Sequence, residues 1–150
     1  MTEIAQSTQQ RWMAAIAFAS ETLLENAWAS LDPKPAYRLL RPVEIGMTLL
    51  RGRIGGSGSA FNFGEATMTR AAVALEGGEQ GFAYLLGRKA RQAELAAVFH
   101  ALLQNPEQRA VIEARVIEPA EAARRDMIAA EQAAIAATRV NFATLVRGND

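Results

Sequence analysis

Over residues 66–76 the chain alternates, with Thr67, Thr69, Ala71, Val73 and Leu75 on one side, and Gly77-Gly78-Glu79-Gln80 follows at once. A period of two closed by a tight-turn signal commits this stretch to a β-hairpin, with residues 81–88 as the returning strand. Ahead of it, residues 37–41 and 47–54 read as two more strands around a turn at 42–46. Short turns leave no room for crossover helices, so the sequence predicts an antiparallel meander of about four strands rather than βαβ units.

Helical periods flank this sheet. Ser7 and Gln10 have capping-box spacing, and Trp12, Met13, Ile16 and Phe18 predict a helix near 8–19. Ser20 is placed to cap a second helix carrying Leu23, Leu24, Ala27, Trp28 and Leu31. Asp32-Pro33-Lys34-Pro35 ends it, because two prolines remove donors and hold the backbone extended. Beyond residue 89, Leu95, Phe99 and Leu102 share a helical face, widened by Val98 and Leu103, until Asn105-Pro106 breaks it. The segment through Val111, Ile112 and Val116 fits a short helix or another strand. Pro119 suits a first helical turn and opens an alanine-rich helix to about Thr138. The 31 alanines among 150 residues favour helix throughout these flanks. The expectation is one α+β domain over 1–150: N-terminal helices, the meander, then C-terminal helices.

Composition removes several kinds of chemistry. The chain has no cysteine, which excludes disulfides, thiolate metal sites and cysteine nucleophiles. His100 is its one imidazole, so a multi-histidine metal site within one chain is excluded. Sixteen basic and sixteen acidic side chains balance, giving no electrostatic reason to expect nucleic acid. No apolar run reaches a membrane span, and residues 1–6 lack a signal-peptide pattern, so the expected location is cytoplasmic.

One loop carries candidate chemistry. Gly55, Gly56, Ser57, Gly58 and Ser59 free consecutive amides that can cradle an anion. Arg51 and Arg53 precede it with the spacing that puts both on one strand face, and Arg70 on the next strand is expected to reach the same surface; the alternative is a flexible strand connection with solvated arginines. Of the 16 basic residues 14 are arginine, the side chain that pairs bidentately with phosphate. No Gly-Lys-Ser/Thr follows, so this is not a Walker loop. Arg53-Ile54-Gly55-Gly56-Ser57-Gly58 also fits the Arg-x-x-Gly-x-Gly pattern of acyl-CoA N-acetyltransferases, which requires a helix directly afterwards. A stand-alone acyl-CoA or nucleotide-binding enzyme is therefore one alternative, and a homo-oligomeric binding protein another. His100 reads as a surface or boundary residue, Glu94 is not placed to face it, and Asp126 with Arg124 and Arg125 reads as a solvated cluster. No catalytic set emerges from spacing.

The run from Arg53 through Gly58, continued by Phe63-Gly64-Glu65-Ala66-Thr67-Met68-Thr69-Arg70-Ala71-Ala72-Val73, closely resembles the PhnG family. Arg11-Trp12-Met13, the block with Tyr84, Leu86, Gly87 and Arg88, and the ending Thr138-Arg139-Val140-Asn141-Phe142 with Thr144-Leu145-Val146-Arg147-Gly148 resemble it too, in family order. PhnG is the small subunit of the bacterial carbon–phosphorus lyase core complex. The resemblance implies assembly with PhnH-, PhnI- and PhnJ-like subunits and an ATP-binding-cassette-like subunit. MgATP would then be a substrate of the complex, with no cofactor bound by this chain alone. A phosphonate displaces adenine from the ribose, giving a ribose 1-phosphonate 5-triphosphate that a radical iron–sulfur enzyme later splits. The nucleosidase chemistry is attributed to the PhnI partner, which implies a synthase subunit without independent activity. The sequence departs from the family at Lys89 and His100, both where an acidic residue is expected, which puts in doubt any partner contact made there by a carboxylate.

The alanine-rich stretch supplies a second expectation. Met127, Ile128 and Ile135 are its only bulky apolar residues, too few for a five-turn helix to anchor itself by burial. Phe142, Leu145 and Val146 follow as further anchors. Residues 119–147 are therefore expected to form an interface arm that docks on a larger subunit and, when the chain is alone, self-associates or is held loosely; the alternative is an alanine-rich helix packed tightly on its own sheet.

Overall fold

The computed structural model describes residues 6–138. They form α1 (Gln6–Phe18), α2 (Glu21–Ala29), β1 (Tyr37–Arg53), β2 (Ala60–Leu75), β3 (Gln80–Leu86), α3 (Ala90–Leu102), α4 (Pro106–Ile112), a π-helical turn (Glu113–Ile117) and α5 (Glu118–Ala137). The sheet is antiparallel in the order β1-β2-β3, so the architecture is α+β as the alternation predicts. Its strand count is three, not four. The two strands expected at 37–41 and 47–54 are one strand of 17 residues. Pro42 does not break it, because β1 is an edge strand and register shifts at Leu39/Arg41 and Arg41/Glu44 absorb the irregularity.

Local signals hold at several ends. The Ser20 hydroxyl accepts from the Leu23 amide at 3.1 Å, capping α2, and the Asn105 side chain accepts from the Glu107 amide at 2.9 Å. Pro106 therefore opens α4 as well as ending the previous helix. Ser7, by contrast, lies inside α1, and among the described residues its side chain caps no amide. The ambiguous stretch around Val116 is helical. It widens into a π turn, where the Glu118 amide reaches the Glu113 carbonyl, immediately before Pro119. A wider turn there gives the proline ring room against the carbonyl four residues back, so Pro119 sits within a helical run rather than starting one.

The core forms where helices cover one end of the sheet. Thr69, Ala71, Val73 and Leu75 face it from β2, with Ala83 and Leu85 from β3, as the period of two requires. Across from them α3 is buried nearly all round, from Gln92 to Leu102, because α1, α2 and α4 pack on its far side. Trp12, Leu24, Ile112 and Val116 complete the interior. Gly81 permits this approach: a side chain there would meet the Ala97 carbonyl and lie 2.7 Å from the Ala101 amide nitrogen. Thr69 fixes the exit from β3, donating to the Gly87 carbonyl at 2.6 Å and accepting from the Lys89 amide at 3.0 Å.

Candidate functional site

β3 pairs with β2 only over Met68–Ala74. Beyond that point β1 and β2 continue alone, from the Met47↔Thr67 pair to Arg53↔Ala60, as a two-stranded ribbon. The glycine loop is its tip. Gly55 and Gly56 take positive φ (64° and 79°), the left-handed backbone that glycine adopts without steric cost. The Gly58 amide closes the turn on the Ile54 carbonyl at 3.1 Å, and the Arg53 guanidinium donates to the Gly58 carbonyl at 2.8 Å. β2 begins at Ala60, so no helix follows the loop. The acyl-CoA N-acetyltransferase reading fails on that point, since the helix start that would receive the pyrophosphate is absent.

The predicted anion-binding residues are only partly brought together. Arg51 and Arg53 sit beside the loop, both exposed. Arg70 pairs across the ladder with Glu44, seven residues from Arg51 along β1, or roughly 23 Å at about 3.3 Å per residue. Its guanidinium is ion-paired with the Glu44 carboxylate, which Arg41 also approaches at 3.8 Å. Arg70 therefore belongs to the base of the ribbon and not to its tip.

Beside Arg70 lies an apolar stripe on β3 that spacing alone did not reveal. Phe82, Tyr84 and Leu86 alternate outward along β3, opposite Ala72, Arg70 and Met68, and all three are exposed. Met127, Ile128 and Ile135 of α5 are exposed as well, and Ala120 is the one buried residue of that helix. Residues Phe142, Leu145 and Val146 lie outside the described residues. Near the start of α5 an ion pair ties the helix to α1: Arg11 reaches Glu121 at 2.7 Å and Glu113 at 3.6 Å, holding the Glu121 carboxyl below its usual range. The expected solvated cluster is not purely so, because the Arg124 guanidinium stacks 4.1 Å from the Phe18 ring centroid.

His100 lies inside the fold and not at its surface or boundary. It is 4% exposed and faces β3, where its Nδ1 accepts from the Phe82 amide at 3.1 Å. Its Nε2 is buried with no partner among the described residues, and burial pushes its pKa down, so the ring is neutral. Position 100 thus supports the fold from inside. Lys89 takes the N-cap place of α3 with no side-chain cap, where an acidic residue would have accepted from the first turn. Glu94 instead accepts from the Tyr37 hydroxyl at 2.6 Å, and burial with that carboxylate raises the Tyr37 pKa. A depression between α1 and β3, lined by Met13, Ile16, Ala17 and residues 82–85, holds about 20 Å³, the room for a water and not for a metabolite. What the described surface offers is contact area, with one cationic loop.

Comparison with known proteins gives that surface a context. Residues 7–148 match the family described as "Phosphonate metabolism protein PhnG", and the chain belongs to it. Among curated relatives, the "Alpha-D-ribose 1-methylphosphonate 5-triphosphate synthase subunit PhnG" of Rhizobium meliloti (strain 1021) is 45% identical over 139 residues, covering 92% of this chain and 88% of the relative.

Proposed function

We propose that this chain is an accessory subunit of an α-D-ribose 1-methylphosphonate 5-triphosphate synthase, working in the cytoplasm in phosphonate catabolism. The observation that carries this is the 45% identity to a subunit of that synthase along nearly the whole chain. The geometry agrees: apolar side chains stand bare on the sheet and on α5, as suits a chain completed by partners. The partners are PhnH-, PhnI- and PhnJ-like subunits, with an ATP-binding-cassette-like subunit joining them. MgATP is the substrate of the assembly, and the step is a transfer: a phosphonate oxygen takes the ribose carbon from adenine. The later lyase step is carried out by a radical enzyme carrying an iron–sulfur cluster.

In this reading the loop of Gly55, Gly56, Ser57 and Gly58, with Arg51 and Arg53, meets phosphate oxygens at a site completed by a partner. Guanidinium and amide donors are the groups that hold an oxyanion by charge-assisted hydrogen bonds. Arg70, committed to Glu44, stays outside this role. The interface arm is α5, through Met127, Ile128 and Ile135, continued by the 139–147 segment with Phe142, Leu145 and Val146.

Reconstitution tests both parts. The purified chain is expected to release no adenine from MgATP with methylphosphonate, and activity is expected only when partners are added. Turnover by the isolated chain would reject the accessory role. An Arg53→Ala variant that assembles normally is expected to lose at least tenfold in activity. Full activity in that variant would remove the loop from the site.

A further inference from the structure

The ribbon is built to be enclosed. A two-stranded hairpin without further cover is marginally stable in water, yet this one extends roughly 20 Å past the last residue of β3, at about 3.4 Å per residue. Its two faces are both apolar. Met47 and Leu49 pair with Thr67 and Glu65 and so share the parity of buried Thr69 and Ala71. A bulge between Leu50 and Arg51 makes Phe63 the extra residue of β2 and turns its ring to the opposite face, where it lies over Gly52. Phe61, directly opposite Gly52, shares that face, and the two rings stand 6.2 Å apart.

These side chains are 43% to 68% exposed, and Ile54 at the tip is 74% exposed. Together with Ile45 they present roughly 700 Å² of apolar surface, taking about 200 Å² for a fully exposed large side chain. A stable complex buries about 800 Å² per partner. The ribbon alone approaches that figure, and the stripe of Phe82, Tyr84 and Leu86 shares the Phe61 face. An isologous contact between two copies of this chain would cover one face of each ribbon and leave the other wet. A cleft covers both.

We propose that the β1–β2 ribbon is a docking arm that inserts into an apolar cleft of a larger, different subunit of the assembly. The inference rests on the subunit reading above and adds where the contact is made. Inserting the arm carries the loop with Arg51 and Arg53 into the interior of the partner. The stem does the binding; the tip follows.

Two paired variants test the two faces separately: Met47→Ser with Leu49→Ser, and Phe61→Ser with Phe63→Ser. Each is titrated, as full chain, against the PhnH-, PhnI- and PhnJ-like subunits by sedimentation velocity. Both pairs are expected to weaken association at least tenfold while thermal melting of the isolated chain stays unchanged. In the wild type, amide exchange over residues 45–67 is expected to slow at least tenfold on assembly. A loss from one face only would overturn the cleft, and wild-type association unaffected by either pair would overturn the arm while leaving the subunit reading intact. A wild-type chain that ignores those subunits would overturn that reading and the arm with it. A wild-type homodimer dissolved by the same substitutions would put a second copy in place of the cleft.

Discussion

Single residues in this chain serve the interior more than any chemistry. Gly81 is the point of closest approach between sheet and helix, and its place cannot hold a methyl group without moving the α3 backbone at Ala97 and Ala101. Gly81→Ala is therefore expected to cost about 3 kcal/mol, an overpacking penalty at its upper range, measured by urea denaturation. His100 makes a pH prediction. Burial lowers its folded pKa below 6.5, so the unfolded chain binds the proton more readily. Its contribution is complete above pH 6.5 and declines as pH falls below that value, at about 1.4 kcal/mol per unit while only the unfolded form titrates. His100→Asn keeps an acceptor near the Nδ1 position for the Phe82 amide, and is expected to flatten the stability curve as pH falls below 6.5. The Glu121 carboxylate, stabilised by Arg11, begins to lose its contribution only as pH falls below its ordinary value of 4.5, so the two effects separate. An unaltered slope in the asparagine variant would show that His100 is not the titrating group.

Among the elements, α5 and the ribbon stand apart from the rest. High propensity makes α5 a helix without requiring much burial, and the Arg11–Glu121 pair fastens only its first turns. Exposed pairs of this kind contribute about 0.2–1 kcal/mol, too little to lock 20 residues in place. Met127→Ser and Ile135→Ser are accordingly expected to change the stability of the isolated chain by less than about 0.5 kcal/mol. Ile117→Ala, at the end of the π turn just before α5 and wholly buried, is expected to cost about 2–5 kcal/mol. Urea titration of the three variants checks the contrast, and a large loss at Ile135 would mean that α5 is anchored on its own chain. The β strands show what local signals cannot resolve. Pro42 and Gly46 read as a turn because both residues usually end strands, but an edge strand needs no donor on its open side, and bulges keep the ladder going.

At the scale of the molecule, the helices cover one end of one face of the sheet and leave the β1–β2 ribbon and the outward side chains of β3 exposed. Membership of the PhnG family follows from the order of short blocks along the chain and needs no structure. The alternation of residues 66–76, the hairpin at Gly77-Gly78, the caps at Ser20 and Asn105 and the helical flanks were legible because each depends on neighbours a few positions away. The thin apolar stripe of α5 was legible for the same reason, as a count of bulky residues on a helix. Three features depended on tertiary structure. The fusion of two expected strands into β1 depends on β2 running opposite its whole length. The burial of His100 depends on α3 being enclosed from every side, which periodicity along α3 cannot report. The separation of Arg70 from Arg51 and Arg53 depends on ladder register: residues on adjacent strands converge or diverge according to which pairs meet, and that choice is made by the packing of side chains far apart in the sequence.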